Sequence, residues 1–274
     1  MITGLTWRGA SIPSPAVDAP DLDHLDHLDH LDHLDHPDHL APAPVAAPVA
    51  GPRRTIHEGD ALVWLKEQGE LAGCSLVTSL PDVSELALGL AAWRAWFIAA
   101  AEAVLRACPA DGAVIFYQTD IKHAGVWVDK GHLVQVAADN CGALLWWHKI
   151  ACRKPAGTIT FGRPAYAHLL CFGREPLREP DGAADVFDTG AMTWSRAMGV
   201  QACVVACEFI RRRTPSRVVV DPFCGRGTVL AVANALGLGA VGVELSPRRC
   251  RNARNLQIDV RRPARTGSPA PEGR

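Results

Sequence analysis

The chain has 274 residues, 48% of them apolar and 24 of them glycine, which is enough to bury one sizeable core and is typical of an α/β protein. Residues 1–51 carry a charge of -7 and the whole chain -1, so residues 52–274 carry the difference, +6. Nine cysteines without pairing periodicity argue against a disulfide framework, and no long apolar run or signal-peptide profile predicts a membrane segment. We therefore expect a cytoplasmic protein.

The first 52 residues are of low complexity. Residues 21–40 repeat Leu-Asp-His with a period of three, which fits neither a helix nor a strand, and the density of Asp opposes burial. We predict a disordered tail over 1–52, one folded domain over 53–262 and a second disordered tail over 263–274. The histidines of the repeat could chelate a divalent metal loosely, or the repeat could be an expansion without a role.

From Arg53 onward, short apolar runs alternate with longer helical segments, which predicts a seven-stranded, mostly parallel sheet with helices on both faces. Strands are predicted near residues 54–58, 74–79, 113–118, 144–149, 166–172, 217–221 and 239–244. A short helix is predicted after Asp60, and further helices at 86–108, 130–140, 194–213, 227–236 and 246–255. Cys203 and Cys207 share a helix face without a second ligand pair nearby, so no metal site is predicted.

A binding loop follows the β-branched strand that ends at Asp221. The sequence Asp221-Pro-Phe-Cys-Gly-Arg-Gly-Thr228 combines a carboxylate, two glycines that allow close backbone approach, and a new helix whose free N–H groups can bind a ligand. A dinucleotide loop would have a third glycine where this chain has Leu230. The carboxylate would repel a pyrophosphate, whereas it would attract the ammonium and sulfonium of S-adenosylmethionine (SAM).

A second carboxylate, Glu244, ends the next strand 23 residues after Asp221. An acid at this position of a nucleotide-binding α/β unit binds ribose hydroxyls, and we predict that role for Glu244. Taken alone, such a residue could equally be a solvated loop charge.

The loop from Asp221 to Thr228 and the strand Gly242-Val-Glu244 resemble the SAM-dependent amino-methyltransferases of the DNA methylase family, which make N4-methylcytosine and N6-methyladenine. The resemblance covers roughly residues 53–260 and implies a Rossmann-like SAM methyltransferase fold. It also implies a circularly permuted motif order, because only about 30 residues follow Glu244. SAM is the implied cofactor, bound by Asp221, Phe223, Gly225, Gly227, Thr228 and Glu244.

The N-terminal half matches the family less specifically. Gly59-Asp-Ala61 corresponds to a segment whose acid receives the adenine amino group of SAM, which implies cofactor binding by Asp60 and Ala61, although Asp60 could also be only a helix N-cap. Ser79-Leu-Pro-Asp82 corresponds to the reaction loop, in which the Ser79 side chain and the Leu80 carbonyl would accept hydrogens from the target amine. Pro81 completes this catalytic segment.

Asp82 departs from the family, which has an aromatic residue there to stack on a flipped base. Asp82 could accept hydrogens from the target or act as a general base, or it could be an N-cap for the residues that follow. The departure leaves a DNA adenine or cytosine target in question.

Residues 192–200 precede the cofactor loop, and Trp194 and Gly199 could line the cofactor pocket, with core packing the alternative for Trp194. Only about 20 residues, 174–193, occupy the place of a target-recognition domain, which favours structured RNA over a specific DNA sequence. Arg211–Arg213 and the basic residues after 247 could bind phosphates or be solvated surface.

The predicted function is therefore SAM-dependent methylation of an amino nitrogen of a nucleic-acid base, in RNA or DNA. The alternatives are methylation of a small molecule or protein, and SAM binding without catalysis.

Overall fold

A computed structural model of the protein describes residues 53–179 and 181–260. The tails predicted at 1–52 and 263–274 lie outside the described residues. The strands are β1 (Arg54–Glu58), β2 (Cys74–Thr78), β3 (Val114–Gln118), β4 (Ile121–His123), β5 (Val126–Val128), β6 (Leu144–Cys152), β7 (Tyr166–Gly173), β8 (Val186–Asp188), β9 (Val218–Asp221) and β10 (Gly239–Glu244). The helices are α1 (Ala61–Gln68), α2 (Leu90–Ala107), α3 (Lys130–Cys141), α4 (Val200–Arg213), α5 (Thr228–Ala235) and α6 (Pro247–Asn255).

Eight of these strands form one sheet in the order β1-β10-β9-β2-β3-β7-β6-β8. Every neighbouring pair is parallel except the two pairs that involve β7, which runs antiparallel to both β3 and β6. The last two described strands, β9 and β10, therefore lie between β1 and β2. This placement agrees with the predicted permuted order, in which the strands missing after Glu244 come from upstream.

Alternating side chains of the strands enter two separate cores. In β3, Val114 and Phe116 belong to one cluster while Ile115 and Tyr117 belong to the other. The first cluster includes buried residues of α1, α2 and α3, and the second includes those of α4, α5 and α6. The sheet is thus covered by helices on both faces, and the predicted fold class is confirmed.

The prediction of seven strands was wrong by one, because β8 pairs with β6 at the edge of the sheet. The strands β4 and β5, which form a separate hairpin, were also missed. Each of the three has only three residues, which is too short to show an alternating pattern.

Two predicted helices begin later than expected, and a glycine precedes each of them. The helix expected from residue 86 begins at Leu90, with Gly89 as its N-cap, and the helix expected from residue 194 begins at Val200, with Gly199 as its N-cap. A Cβ at Gly199 would lie 2.0 Å from the carbonyl oxygen of Thr189. The missing side chain lets the start of α4 approach the end of β8 closely.

Candidate active site

A cavity of about 440 Å³ opens where β1, β2, β9 and β10 end. The carboxyl ends of parallel strands meet at one edge of a sheet, and open α/β sheets bind their ligands there. Both halves of the chain line this cavity. The predicted site residues in its lining are Asp60, Ala61, Ser79, Leu80, Pro81, Asp221, Phe223, Gly225, Thr228 and Glu244.

Asp221 is the buried carboxylate of the cavity, with a relative exposure of 4%. Its Oδ1 accepts hydrogen bonds from the Thr78 hydroxyl at 2.7 Å and from the Phe223 N–H at 3.1 Å. Burial raises the pKa of Asp221 from 3.8 to about 7; the two hydrogen bonds oppose this rise and the nearby Glu244 adds to it. A cationic ligand in the cavity would favour the ionised form of Asp221.

Gly225 has a positive φ of 54°, and a Cβ there would lie 3.0 Å from the Trp194 ring. Trp194 lines the cavity, which was one of the two alternatives predicted for this residue. The guanidinium groups of Arg226 and Arg249 lie 5.0 and 5.5 Å from the Trp194 ring centroid. The loop from Asp221 to Thr228 thus approaches the Trp194 ring closely at Gly225, where a side chain would crowd the ring.

Two predicted cofactor residues, Gly199 and Gly227, are not part of the cavity lining. Gly227 has a φ of 82° at the N-cap of α5, and a Cβ there would lie 2.9 Å from Ala253 in α6. In this structure both glycines permit close packing behind the site.

Asp60 and Glu244, the two carboxylates predicted to bind the nucleoside, lie at the ends of adjacent strands. Glu244 is paired with Glu58 at the end of β1, and Asp60 follows two residues after Glu58. Asp60 Oδ1 accepts from the N–H groups of Leu62 and Val63, both at 2.9 Å, so Asp60 is the N-cap of α1. Glu244 Oε1 accepts from the Ser246 N–H at 2.8 Å. The N-cap role of Asp60 is therefore observed, while its proposed cofactor contact stays a prediction.

Ser79, Leu80 and Pro81, which directly follow β2, line the cavity. The Leu80 side chain is buried, which fixes the loop to the core. The Pro81 carbonyl accepts from Trp93 Nε1 at 3.2 Å, which anchors the loop to α2. Within the described residues, the Ser79 hydroxyl makes no hydrogen bond, so it remains available to a ligand.

Asp82 lies outside this cavity and is buried in an ion-pair cluster. Lys130 Nζ lies 2.5 Å from Asp82 Oδ1, and the Arg163 guanidinium lies 2.6 Å from Oδ2. Burial lowers the pKa of Lys130, an effect that the Asp82 carboxylate opposes. Both oxygens of Asp82 are therefore paired with cations, which argues against the general-base role.

The predicted N-cap position of Asp82 is observed. Asp82 directly precedes a short 3-10 helix, Val83–Glu85, and its N–H donates to Glu85 Oε1 at 3.2 Å. The helix is a single turn. The residue thus combines a cap position with the two ion pairs.

A smaller cavity of about 40 Å³ adjoins the first, since Ser79 and Leu80 line both. Its lining includes Asp82, Arg153 and Arg163. An ion pair between Glu85 and Arg196, at 2.8 Å, connects the reaction loop with the segment before α4. Both residues of this pair line both cavities.

Sequence reasoning missed Lys130, Arg163 and the pair of Glu85 with Arg196. Lys130 and Arg163 are separated from Asp82 by 48 and 81 positions. A single sequence contains no signal that joins them. The Asp82 departure itself was visible, and a buried carboxylate needs a compensating charge.

A second polar cluster lies on β6 and β7. His148 Nε2 lies 3.0 Å from His168 Nδ1, and His168 Nε2 lies 3.0 Å from Asp120 Oδ2. Asp120, Asp129 and His168 have the spacing of a metal-ligand group. Asp120 also accepts from the Lys130 N–H at 2.9 Å, which connects this cluster to the start of α3.

The family model described as DNA methylase matches residues 211–255. This segment contains both the loop from Asp221 to Thr228 and the strand that ends at Glu244. This part of the chain is similar to the DNA methylase family. The resemblance predicted from the motifs is thereby confirmed.

Solved structures of DNA methylases have the same fold. TTHA0409 from Thermus thermophilus, provisionally named a DNA modification methylase, is 21% identical, with a TM-score of 0.58 over 73% of this chain and 92% of its own. A structure of that protein in complex with SAM has a TM-score of 0.57. The cytosine-N4-specific PvuII DNA methyltransferase is 17% identical, with a TM-score of 0.58 over 77% of this chain and 90% of its own. No curated protein matches the sequence significantly.

The remaining sequence predictions concern cysteines and membranes. All nine cysteines lie in the described residues as free thiols. Burial raises the pKa of Cys108 to about 12, and the pKa values of Cys203 and Cys207 are also raised by burial. None of the described helices is long and apolar enough to cross a bilayer.

Proposed function

We propose that the protein transfers a methyl group from SAM to an amino nitrogen of a nucleic-acid base. The observation that carries this proposal is the shared cavity that unites Asp221, Gly225 and Glu244 with Ser79 and Leu80. The DNA methylase segment and the fold support a SAM-dependent methyltransferase, as the sequence predicted.

The cavity has the features that SAM requires. Its buried carboxylate, Asp221, has a raised pKa and lies in the cofactor loop, where the ammonium and sulfonium of SAM would favour its charged form. Gly225 and Trp194 both line the cavity, and the missing side chain at Gly225 leaves its backbone accessible to the methionine part. Glu244 would bind the ribose, and the second oxygen of Asp60 would receive the adenine amino group, since the N-cap uses only Oδ1. When bound, SAM supplies an electrophilic methyl group.

The chain's own residues would orient the acceptor amine. An exocyclic amine is a poor nucleophile because its lone pair is delocalised into the base. Hydrogen-bond acceptors around its hydrogens shift it towards a reactive geometry aimed at the methyl group. Ser79 and Leu80 line the cavity, and the Ser79 hydroxyl and the Leu80 carbonyl would be these acceptors.

A nucleic-acid acceptor is supported by the cations beside the reaction loop. Arg153, Arg163, Arg196 and Lys130 line the smaller cavity, where the acidic side chains of Asp82 and Glu85 compensate only two of these four positive charges. Residues 174–193 occupy the place of a target-recognition domain, and they contribute the strand β8 to the sheet. DNA is the acceptor that the family implies, and structured RNA is the second one to test.

Isothermal titration calorimetry tests the cofactor assignment. Gly225→Val should abolish SAM binding, because it adds a branched side chain at a positive φ and against Trp194. Gly89→Val is the matched control, since a Cβ at Gly89 meets nothing within 4 Å. Glu244→Gln, which preserves shape, should weaken binding about tenfold or more. Unchanged affinity in a folded Gly225→Val protein would remove the cofactor assignment.

Labelled SAM tests the acceptor. We expect label in the nucleosides of genomic DNA or total RNA from a strain that lacks the gene. Label in protein or in small molecules instead would reassign the acceptor, and SAM binding without any transfer would indicate a non-catalytic homologue.

A further inference from the structure

The connection between β6 and β7, residues 153–165, leaves two large apolar side chains almost fully exposed. Its base is closed by hydrogen bonds from the N–H groups of Arg153 and Lys154 to the Ala165 carbonyl, at 2.6 and 3.1 Å. Between these ends, Ile159 is 80% exposed and Phe161 is 91% exposed. Neither side chain contributes appreciably to the core.

All charged residues of this loop are cationic. It contains Arg153, Lys154 and Arg163 and no acidic residue. An exposed aromatic ring among cations is the combination that single-stranded nucleic acids meet in proteins, because base faces stack on the ring and phosphates contact the cations.

The loop is attached to the reaction loop at its base. Arg163 forms the 2.6 Å ion pair with Asp82, and Arg153 and Arg163 both line the smaller cavity with Ser79 and Leu80. A strand that contacts the loop would therefore lie beside the residues proposed to orient the acceptor amine.

We propose that residues 153–165 bind an unpaired nucleic-acid strand, with Phe161 stacked on a base and Arg153 and Lys154 against backbone phosphates. An unpaired strand is specified because the base faces of a duplex are already stacked and closed to Phe161. This inference rests on the proposed function for its substrate class and adds the element that would bind that substrate.

Fluorescence anisotropy with labelled single-stranded DNA, single-stranded RNA and duplex DNA tests the stacking. Phe161→Ala should weaken binding of the unpaired strands by about 5- to 150-fold, the range for loss of one base–aromatic stack. Phe161→Trp should bind like the wild type, whereas Phe161→Leu should resemble the alanine variant. Val186→Ala, which removes part of a 60% exposed side chain on β8, is the matched control and should change nothing.

The salt dependence of binding tests the phosphate contacts. Arg153→Ala should lower the slope of log K against log salt by about 0.7, the loss of one single-strand phosphate contact. Arg211→Ala is the control on α4, where the guanidinium pairs with Glu208 at 2.6 Å. A slope lowered by Arg211→Ala and unaffected by Arg153→Ala would assign the phosphates to α4 and overturn the proposal.

The two proposals fail in different ways. If the wild type binds SAM and methylates nucleic acid while Phe161→Ala binds and methylates equally well, the loop proposal is overturned and the proposed function stands. If the wild type does not bind SAM, the proposed function fails, while the anisotropy measurement still tests whether the loop binds nucleic acid. Loss of binding to anionic lipid vesicles in Phe161→Ala, with nucleic-acid binding intact, would make the loop a membrane contact and also overturn the inference.

Discussion

Replacing Asp221 by Asn should make the free protein more stable and its cofactor binding weaker. Asn has the same shape and can still accept the hydrogen bonds of Thr78 and the Phe223 N–H through its side-chain oxygen. It cannot ionise in the buried position. The substitution therefore isolates the charge of Asp221 from its packing.

The expected stability change follows from the pKa of Asp221, which burial raises from 3.8 to about 7. The difference of about 3 pH units corresponds to about 4 kcal/mol at full ionisation. Since the folded state holds this proton up to about pH 7 and the unfolded state releases it near 3.8, stability is present at low pH and is lost as pH rises through this window. From about pH 5 to about pH 8, the Asn variant should gain about 3 kcal/mol relative to the wild type.

Thermal unfolding of both proteins across this pH range measures the effect, and the gain corresponds to about 6–12 °C in Tm for a domain of this size. Glu67→Gln, an exposed carboxylate on α1, is the matched control. A difference between wild type and Asn variant that is constant with pH would refute the reasoning. The same variant should bind SAM at least about tenfold more weakly at about pH 8, and S-adenosylhomocysteine, whose sulfur is neutral, should lose less.

Three further outcomes are expected. Asp82→Asn should destabilise the protein by about 3–5 kcal/mol in urea unfolding, because it leaves the buried Lys130 without its carboxylate; an Asn variant as stable as the wild type would show that this pair contributes nothing. Gly242→Ala should cost about 1–3 kcal/mol by overpacking, because its Cβ would lie 2.5 Å from Leu230 Cδ1; an unchanged urea midpoint would contradict this. Deletion of residues 1–50 should leave Tm and SAM affinity unchanged, because the Asp-His repeat can bury no core; a fall of several degrees would disprove it.

The sequence predicted those parts of the fold that are determined by residues close together in the chain. The strands that end at Asp221 and Glu244 were found within one residue because β-branched runs precede a glycine-rich loop and an acid. The close approach of α5 and α6 could not be predicted, since it depends on Gly227 lying against Ala253 across the fold. The same limit applies to Gly199, whose position in the cofactor motif suggested ligand contact while its structural neighbour is Thr189.

Asp82 shows how a local motif can acquire its meaning from distant residues. Read alone, a carboxylate at the end of the reaction loop could be a base, a hydrogen-bond acceptor or an N-cap. The structure places Lys130 and Arg163 on its two oxygens, so its negative charge is compensated before any substrate binds. Arg163 in turn belongs to the loop that exposes Phe161. If Asp82 anchors that loop, Asp82→Asn should weaken binding of an unpaired strand as well as stability, and the effect on binding should be absent in a Phe161→Ala background, because the anchored ring is already missing.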